Sequence, residues 1–452
     1  MRIKASLVLV FLLILPGLVL AQAKILTLAE ATSLALEQNI DVIQTQNNIE
    51  SAKSQVLSAW GGYLPNLSAS GSWSRTQSQR TGTSVQIIEG IPVTSQTESF
   101  GVDNSFNTGL NSSLTIFDGL ARESNLSAAK SRNVVVENTA LRTRQAVVYS
   151  VTAGYLNVIR TRELVKVAEE NLKRDERQLE RITESNRVGA LSLADVYRQQ
   201  SQVANDELDV INAQNNYEKS KADLVALIGL SASEEYDFVD PSLRALLDST
   251  EVQATMARYA DVGKLAKVAL SARPDYLAAG KNYEAAESGV TSASAGYWPS
   301  LSAFGSYGNF ANEMDQLAVN RNYTLNWGLS LRWNLFDRFL TNQSVQSAMV
   351  NSRNAQVNLI QAEKDISVEV KKALLDLESA RKSWDVSLKV LKSATEDRKI
   401  AEERYNLGAG TLLDLLVANA TYVGAQATQI NAIAGFLIAK FNVEFVMAER
   451  GY

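Results

Sequence analysis

The chain has 452 residues, of which 46% are hydrophobic and 21% charged, and its formal net charge is −5. That is apolar material for a large folded body, without the basic excess that nucleic-acid binding needs. It contains no Cys and no His, which excludes thiol nucleophiles, disulfides, imidazole bases and the usual zinc or copper ligand sets.

The N-terminus reads as an export signal. Arg2 and Lys4 precede an apolar stretch from Ala5 to Leu20, and Ala21-Gln22-Ala23 supplies small residues at cleavage-site spacing. Residues 1–23 are therefore expected to be a signal peptide, cut after Ala21 or Ala23. A membrane anchor is the weaker reading, because the run is shorter than a full span, and no later run approaches about 20 apolar residues.

A helix is expected from Leu28 to Ala59. Leu67, Ala69 and Trp73 then alternate with serines, and Leu110, Leu114 and Ile116 alternate with Asn111, Ser113 and Thr115, a period of two. Between these strands the Ser/Thr/Gln/Gly-rich stretch from Ser74 to Asn104 reads as a long polar loop. After Phe117-Asp118 the period changes. From residue 119 to about 187 there is no Pro, and Val151, Val158, Val165, Leu172 and Leu179 recur at sevens, the spacing of a long coiled-coil-like helix. Gly189 fits a left-handed helix cap, and a second helix is expected from Leu191 to Leu227. Residues 229–258, with Pro241, read as an irregular connector.

The pattern then repeats. A helix is expected from about Tyr259 to Ala293, followed by a strand with Leu301, Ala303, Gly305 and Tyr307 on one face, though Phe304 breaks the polar side. A shorter loop from Gly308 to Asn322 leads to a 13-residue strand, Tyr323 to Leu335, whose apolar residues alternate with polar ones. Phe336-Asp337 opens a long helix striped by Val370, Leu377, Trp384 and Leu391, with Arg398 ending the stripe, and Gly408 precedes a helix from Leu412 to Met447. Leu114–Asp118 matches Trp333–Asp337, Gly189 matches Gly408 and Asp195 matches Asp414, all 219 residues apart. Gly62–Ala69 matches Gly296–Ala303 at an offset of 234, so the first copy carries 15 extra residues in its loop. The division is thus signal peptide 1–23, first repeat 24–228, connector 229–258 and second repeat 259–452.

Tilted strands of about 9–11 residues with alternating faces cross a bilayer, although a soluble sandwich strand shows the same alternation. Helices of nearly 70 residues would run about 100 Å at ~1.5 Å per residue, and their charge keeps them out of lipid. One chain supplies four strands, too few to close a barrel, and a sheet in lipid must close. Two chains give eight strands and three give twelve, and the residues alone leave that choice open.

The Gly-Tyr-x-Pro-x-Leu-Ser-Ala segments, the Phe-Asp after each hairpin and the run Arg404 to Leu416 resemble the TolC family of outer membrane efflux proteins. The resemblance spans about residues 25 to 450. It implies a mostly helical α+β chain forming a homotrimer, with a 12-stranded outer-membrane barrel continued by a long periplasmic α-helical barrel. It further implies a passive duct in a tripartite efflux pump or type I secretion system, with a periplasmic adaptor protein and an inner-membrane transporter as partners. No cofactor and no metal are expected, and no catalytic residue.

The same resemblance places a periplasmic gate at Asp414, with Asp195 as its counterpart in the first copy and Tyr405 as a residue that holds the closed state. Three Asp414 carboxylates about one axis would favour cations, and their proximity would raise their pKa. The spacings Ser192-x-x-Asp195 and Thr411-x-x-Asp414 are equally those of helix capping boxes, and the two roles are compatible. A second acid three residues on is replaced here by Val417, and a basic tip residue of some relatives by Gly410. Gly189 and Gly408 mark the tip turns, and Pro65 and Pro299 the junction between helix and barrel. Trp73, Trp327, Trp333 and Tyr323 are either girdle aromatics or fillers of the lipid-facing and inter-subunit surface. A non-conducting trimeric envelope scaffold or adhesin is the alternative function. A periplasmic adaptor has no need of the duplicated amphipathic hairpins, and no Gly-rich phosphate loop or metal cluster suggests an enzyme.

Overall fold

The computed structural model describes residues 24–231, 233–239, 249–259, 262–317 and 323–449. The expected signal peptide and Pro241 lie outside them. The elements in chain order are β1 (Lys24–Leu26), α1 (Leu28–Gln38), α2 (Ile40–Gly61), β2 (Asn66–Ile88), β3 (Ile91–Phe117), α3 (Ala121–Arg187) and α4 (Leu193–Ile228). There follow β4 (Tyr236–Phe238), α5 (Ser249–Arg258), α6 (Val262–Ala272), α7 (Pro274–Ser294), β5 (Ser300–Ala311), β6 (Tyr323–Arg332), α8 (Leu340–Asn406) and α9 (Leu412–Val446).

The duplication is visible in the element bounds. Both α3 and α8 have 67 residues. Ala121 and Leu340, Arg187 and Asn406, and Leu193 and Leu412 are each 219 residues apart. The described residues up to Ile43, Arg144–Leu265 and those from Val370 onward form one compact unit, and Gln44–Thr143 with Ala266–Glu369 form another. Each unit draws on both copies.

The first unit has its main core where α3 crosses the small parallel pair β1–β4. Val151, Tyr155, Val158, Leu26 and Phe238 are fully buried there. The Tyr155 hydroxyl donates to the Leu26 carbonyl oxygen at 3.0 Å, and its ring meets Phe238 edge to face. The expected irregular connector therefore contains a strand and the helix α5. The expected helix over Leu28–Ala59 is broken at Asn39, which is extended (ψ 131°). Its Oδ1 accepts from the Asp41 N–H at 2.9 Å, starting α2, and its amide donates to the Leu227 carbonyl oxygen at 2.8 Å. Gly229 ends α4 at φ +91°, and a Cβ there would lie 2.5 Å from the Gln38 carbonyl oxygen. Asn and Gly thus dock one break on one helix end.

The second unit holds a four-stranded antiparallel sheet of order β2-β3-β5-β6. Its registers put Leu67, Ala69 and Trp73 on one face with Leu110, Leu114, Ala303, Tyr307, Leu325, Leu329 and Leu331. Ser68, Ser70 and Ser72 share the other face with Asn107, Asn111, Ser302, Ser306, Thr324 and Asn326. The expected loop Ser74–Asn104 is instead hairpin, paired without interruption to Ile88–Ile91 around a two-residue turn. Glu89 (φ 53°) and Gly90 (φ 80°) are both left-handed, the turn type that matches strand twist. Strand β6 ends at Arg332, three residues short of the expected Leu335.

The expected helix from Tyr259 to Ala293 is also interrupted, at Arg273-Pro274, because Pro has no N–H and starts α7 at its first position. The buried Arg273 guanidinium pairs there with Asp275 and Glu369. Burial lowers the pKa of neighbouring Arg142 to about 10.

Candidate functional site

The two tip turns share one construction. After α3, the Gly189 N–H bonds to the Asn186 carbonyl oxygen at 2.9 Å and the Ala190 N–H to that of Ser185 at 2.8 Å. After α8, Gly408 bonds to Tyr405 at 3.0 Å and Ala409 to Arg404 at 2.8 Å in the same pattern. Both glycines are left-handed, at φ +79° and +74°, with open space where a Cβ would be, so conformation alone demands Gly. Gly410 is small for a different reason. A Cβ there would lie 3.2 Å from the Arg404 Cβ.

Each turn then begins a helix with a side-chain cap. The Asp195 N–H donates to Ser192 Oγ at 3.3 Å, and Ser192 Oγ–H donates to Asp195 Oδ2 at 2.7 Å. In the second copy the box is complete. Asp414 N–H donates to Thr411 Oγ1 at 3.2 Å, while the Thr411 N–H and hydroxyl both donate to Asp414 Oδ2, at 3.0 and 2.8 Å. The capping role read from the spacing is therefore present at both positions.

The two aspartates differ in charge balance. Arg198, three residues on, pairs with Asp195 at 3.4 Å, whereas the matching position in the second copy is Val417. Hydrogen bonds from Thr411, with the Arg404 charge as a smaller cause, hold the Asp414 carboxyl below the ordinary carboxylate value. Within one protomer the direction is thus opposite to the rise that a carboxylate ring would impose.

The tips of the two copies meet. Ile182 and Val196 from the first copy and Leu412 from the second are buried together, with Tyr405 and Leu416 packed against them. Tyr405 is half-buried. Its hydroxyl bonds to the Gln178 side chain, and burial, with the Asp195 charge, raises its pKa. So Tyr405 and Asp195 are brought together, and Asp414 lies on the exposed side of the second tip. Further up the same helices, the guanidinium carbons of Arg174 and Arg398 lie 5.7 and 4.7 Å from the Tyr422 ring centroid. The sequence gives no signal for Gln178, Arg174 or Tyr422, single polar residues on charged helices. Arg398 is marked only by ending the apolar stripe of its helix.

The barrel junction belongs to the other unit. Pro65 and Pro299 each immediately precede a strand, β2 and β5. Past the strands, Asp337 Oδ2 accepts from the Thr341 N–H at 2.8 Å, so the Asp of the Phe-Asp pair caps the long helix. Arg122 ties the first junction. It donates to the carbonyl oxygens of Thr115 and Ile116 at 2.7 and 2.9 Å, beside the register shift of β3. It also pairs with Asp118 at 3.3 Å and lies over the Tyr63 ring. Gly119 allows the close approach of the two junctions, because a Cβ would be 2.9 Å from the Ala295 carbonyl oxygen.

Among the described residues no group of three or more acidic, His or Cys side chains is placed to hold a metal ion, and no helix is long and apolar enough to cross a membrane.

Comparison with known proteins places these features in a family. The outer membrane efflux protein family matches residues 31–230 and 265–447. The toluene efflux pump outer membrane protein TtgC of Pseudomonas putida is 24% identical over 421 residues, covering 92% of this chain and 81% of TtgC. The outer membrane protein TolC of Escherichia coli is 21% identical over 312 residues, 67% of this chain and 61% of TolC. Among solved structures, the CmeC outer membrane channel of Campylobacter jejuni superposes with a TM-score of 0.76 at 21% identity, covering 93% of this chain and 85% of CmeC.

Proposed function

This chain belongs to the outer membrane efflux protein family, and from that premise we propose that three copies close one 12-stranded barrel in the outer membrane. The protein is an outer-membrane efflux channel with a large periplasmic portion. The observation that supports the trimer is the sheet. Among the described residues its outer strands β2 and β6 have no partner along their free edges, while Tyr323, Leu325, Trp327, Leu329 and Leu331 are all exposed on one face. Free edges and apolar faces together are tolerated in lipid only in a closed barrel. In this reading the repeats 24–228 and 259–452 each contribute one hairpin and one helical tip, joined through 229–258.

The channel is passive and takes its energy and its cargo choice from an inner-membrane transporter, through a periplasmic adaptor. Small molecules or exported proteins pass outward. The more polar face of the sheet, with Phe304 and Phe310 among its Ser, Asn and Thr side chains, is the lumen wall. Asp414 rings the periplasmic mouth, and Tyr405 with Asp195 links the first tip to the second. No catalytic step is assigned.

Native mass spectrometry and planar-bilayer recording of the purified protein test the reading together. Three chains per particle and a stable conductance are expected. A trimer without conductance would favour the scaffold or adhesin instead.

A further inference from the structure

The two helical hairpins differ along the seam between their paired helices. In the first copy Asp175, Gln199 and Asp206 are 2%, 0% and 2% exposed. The matching positions of the second copy, 219 residues on, are Ala394, Ala418 and Ala425, all buried. Three buried polar side chains, two of them acids, thus stand where the duplicate is packed with alanine.

The polar set is bonded together. Asp206 Oδ1 accepts from the Asn171 and Gln202 amides, each at 2.9 Å. Gln199 Nε2 donates to the Asp175 carbonyl oxygen at 3.1 Å and to Asp175 Oδ1 at 3.3 Å. The Asp206 carboxyl lies against that of Asp175, and its Oδ2 is buried with no donor to accept from. The charges acting on it are Asp175 from α3 and Asp209 from its own helix, both acidic. The Arg174 cation is turned elsewhere, to Asn171 Oδ1 at 3.1 Å and to the Tyr422 ring, which it shares with Arg398.

Two carboxylates buried in one site cannot both ionise without a compensating charge. A proton on Asp206 removes one charge and supplies the missing donor. We propose that Asp175 and Asp206 form a buried proton site that clamps the first copy's hairpin: one proton between the two carboxyls keeps the α3–α4 seam closed, and its release to solvent loosens that hairpin alone. Burial first, then the hydrogen bond and charge of Asp175, push the Asp206 pKa up to about 7. In an opened, hydrated seam the same group would return to about 3.9. The sign follows. The clamp is at full strength below the ordinary carboxylate range, weakens as pH rises from there to about 7, and is spent above it. The alanine seam has no such dependence.

Hydrogen–deuterium exchange of the full-length protein in detergent tests this without any conductance measurement, so its failure leaves the channel reading standing. Rates are corrected for intrinsic pH dependence, and the helices around Ala394 and Ala425 serve as the reference within the same chain. Opening around Asp175 and Asp206 is expected to rise up to about tenfold per pH unit between pH 5 and 7 and to level off above. Asp206→Asn should remove the step and leave the seam protected at every pH. The double variant Asp175→Ala/Asp206→Ala should behave like the second copy. A flat native profile, or a step that survives Asp206→Asn, overturns the proposal. So does a step that disappears when sodium and magnesium are withdrawn at fixed ionic strength, which would assign the carboxylates to a metal cation.

Discussion

At Asp414 the helix cap and the proposed gate charge fall on one side chain, and a pair of substitutions separates them. Its Oδ2 closes the capping box with Thr411, and its charge lacks the arginine that Asp195 has in Arg198. Asp414→Asn keeps an oxygen that accepts from Thr411 and removes the charge, whereas Asp414→Ala removes both. If the charge faces the pore, both variants lower cation selectivity in planar bilayers, and only the alanine variant also frays the start of α9, read by exchange. Unchanged selectivity and conductance in both would sink the gate assignment. Because the Thr411 hydrogen bonds hold the carboxyl below its ordinary range, the selectivity should stay constant from neutral to mildly acid pH. A loss already near neutrality would mean that repulsion within the ring outweighs the cap. Tyr405→Phe deletes only the hydroxyl bonded to Gln178. It should raise the open fraction of single channels while trimer yield stays the same. The sequence showed the spacing of these residues, and the two roles it left side by side at Asp414 come from one short segment. It did not show Gln178 or Arg122, because their partners are distant in sequence or are backbone oxygens.

At the scale of elements, the helices were legible where one face is buried. Val151, Val158, Val370 and Leu377 recur at sevens and are fully buried. Farther along α3 the buried positions become Asp175, Gln178 and Ile182, since a 3.6-residue turn drifts from a strict seven. The outer half of the first hairpin reads as loop in the sequence for the opposite reason. Almost every side chain from Ser74 to Asn104 is exposed on both faces, so no hydrophobic period marks it, and only Glu89-Gly90 betrays the turn. The helix breaks at Asn39 and Arg273 were local signals outweighed by long periodic flanks. The glycines allow a graded test. Gly189→Ala and Gly408→Ala meet no atoms and should lose only the left-handed preference, about 1–2 kcal/mol each. Gly229→Ala forces its Cβ within 2.5 Å of a carbonyl oxygen. It should melt the protein at a clearly lower temperature than either tip variant in scanning calorimetry.

For the whole molecule the question left by the sequence is which face of the sheet meets lipid, since a soluble sandwich strand alternates in the same way. The aromatic rows bear on it. Tyr323 stacks on Tyr307, and Trp73 on Phe106, at the outer end of the four-stranded region. Trp333, Trp298 and Trp60 lie at its inner end, where Trp333 Nε1 donates to the Tyr297 carbonyl oxygen at 3.2 Å. From Tyr323 to Trp333 the chain advances about 34 Å at ~3.4 Å per residue. A tilt of about 40° makes that roughly 26 Å of height, which matches the ~25 Å apolar band between the girdles of a membrane barrel. If that face meets lipid, Trp327, 81% exposed and directly opposite Gly305, falls within the band between the two aromatic rows and fills lipid-facing surface. Its chain neighbour Asn326 points to the other face. Adjacent arginines therefore decide the matter. Trp327→Arg places a charge in hydrocarbon at about 2–4 kcal/mol per chain near the midplane, three times over in a trimer, and should abolish assembled trimer in outer-membrane fractions. Asn326→Arg points into water, should assemble normally, and should shift the channel toward anions. Normal assembly of Trp327→Arg together with loss of Asn326→Arg would reverse the sheet. Normal assembly of both, with no change in conductance, would take it out of the membrane.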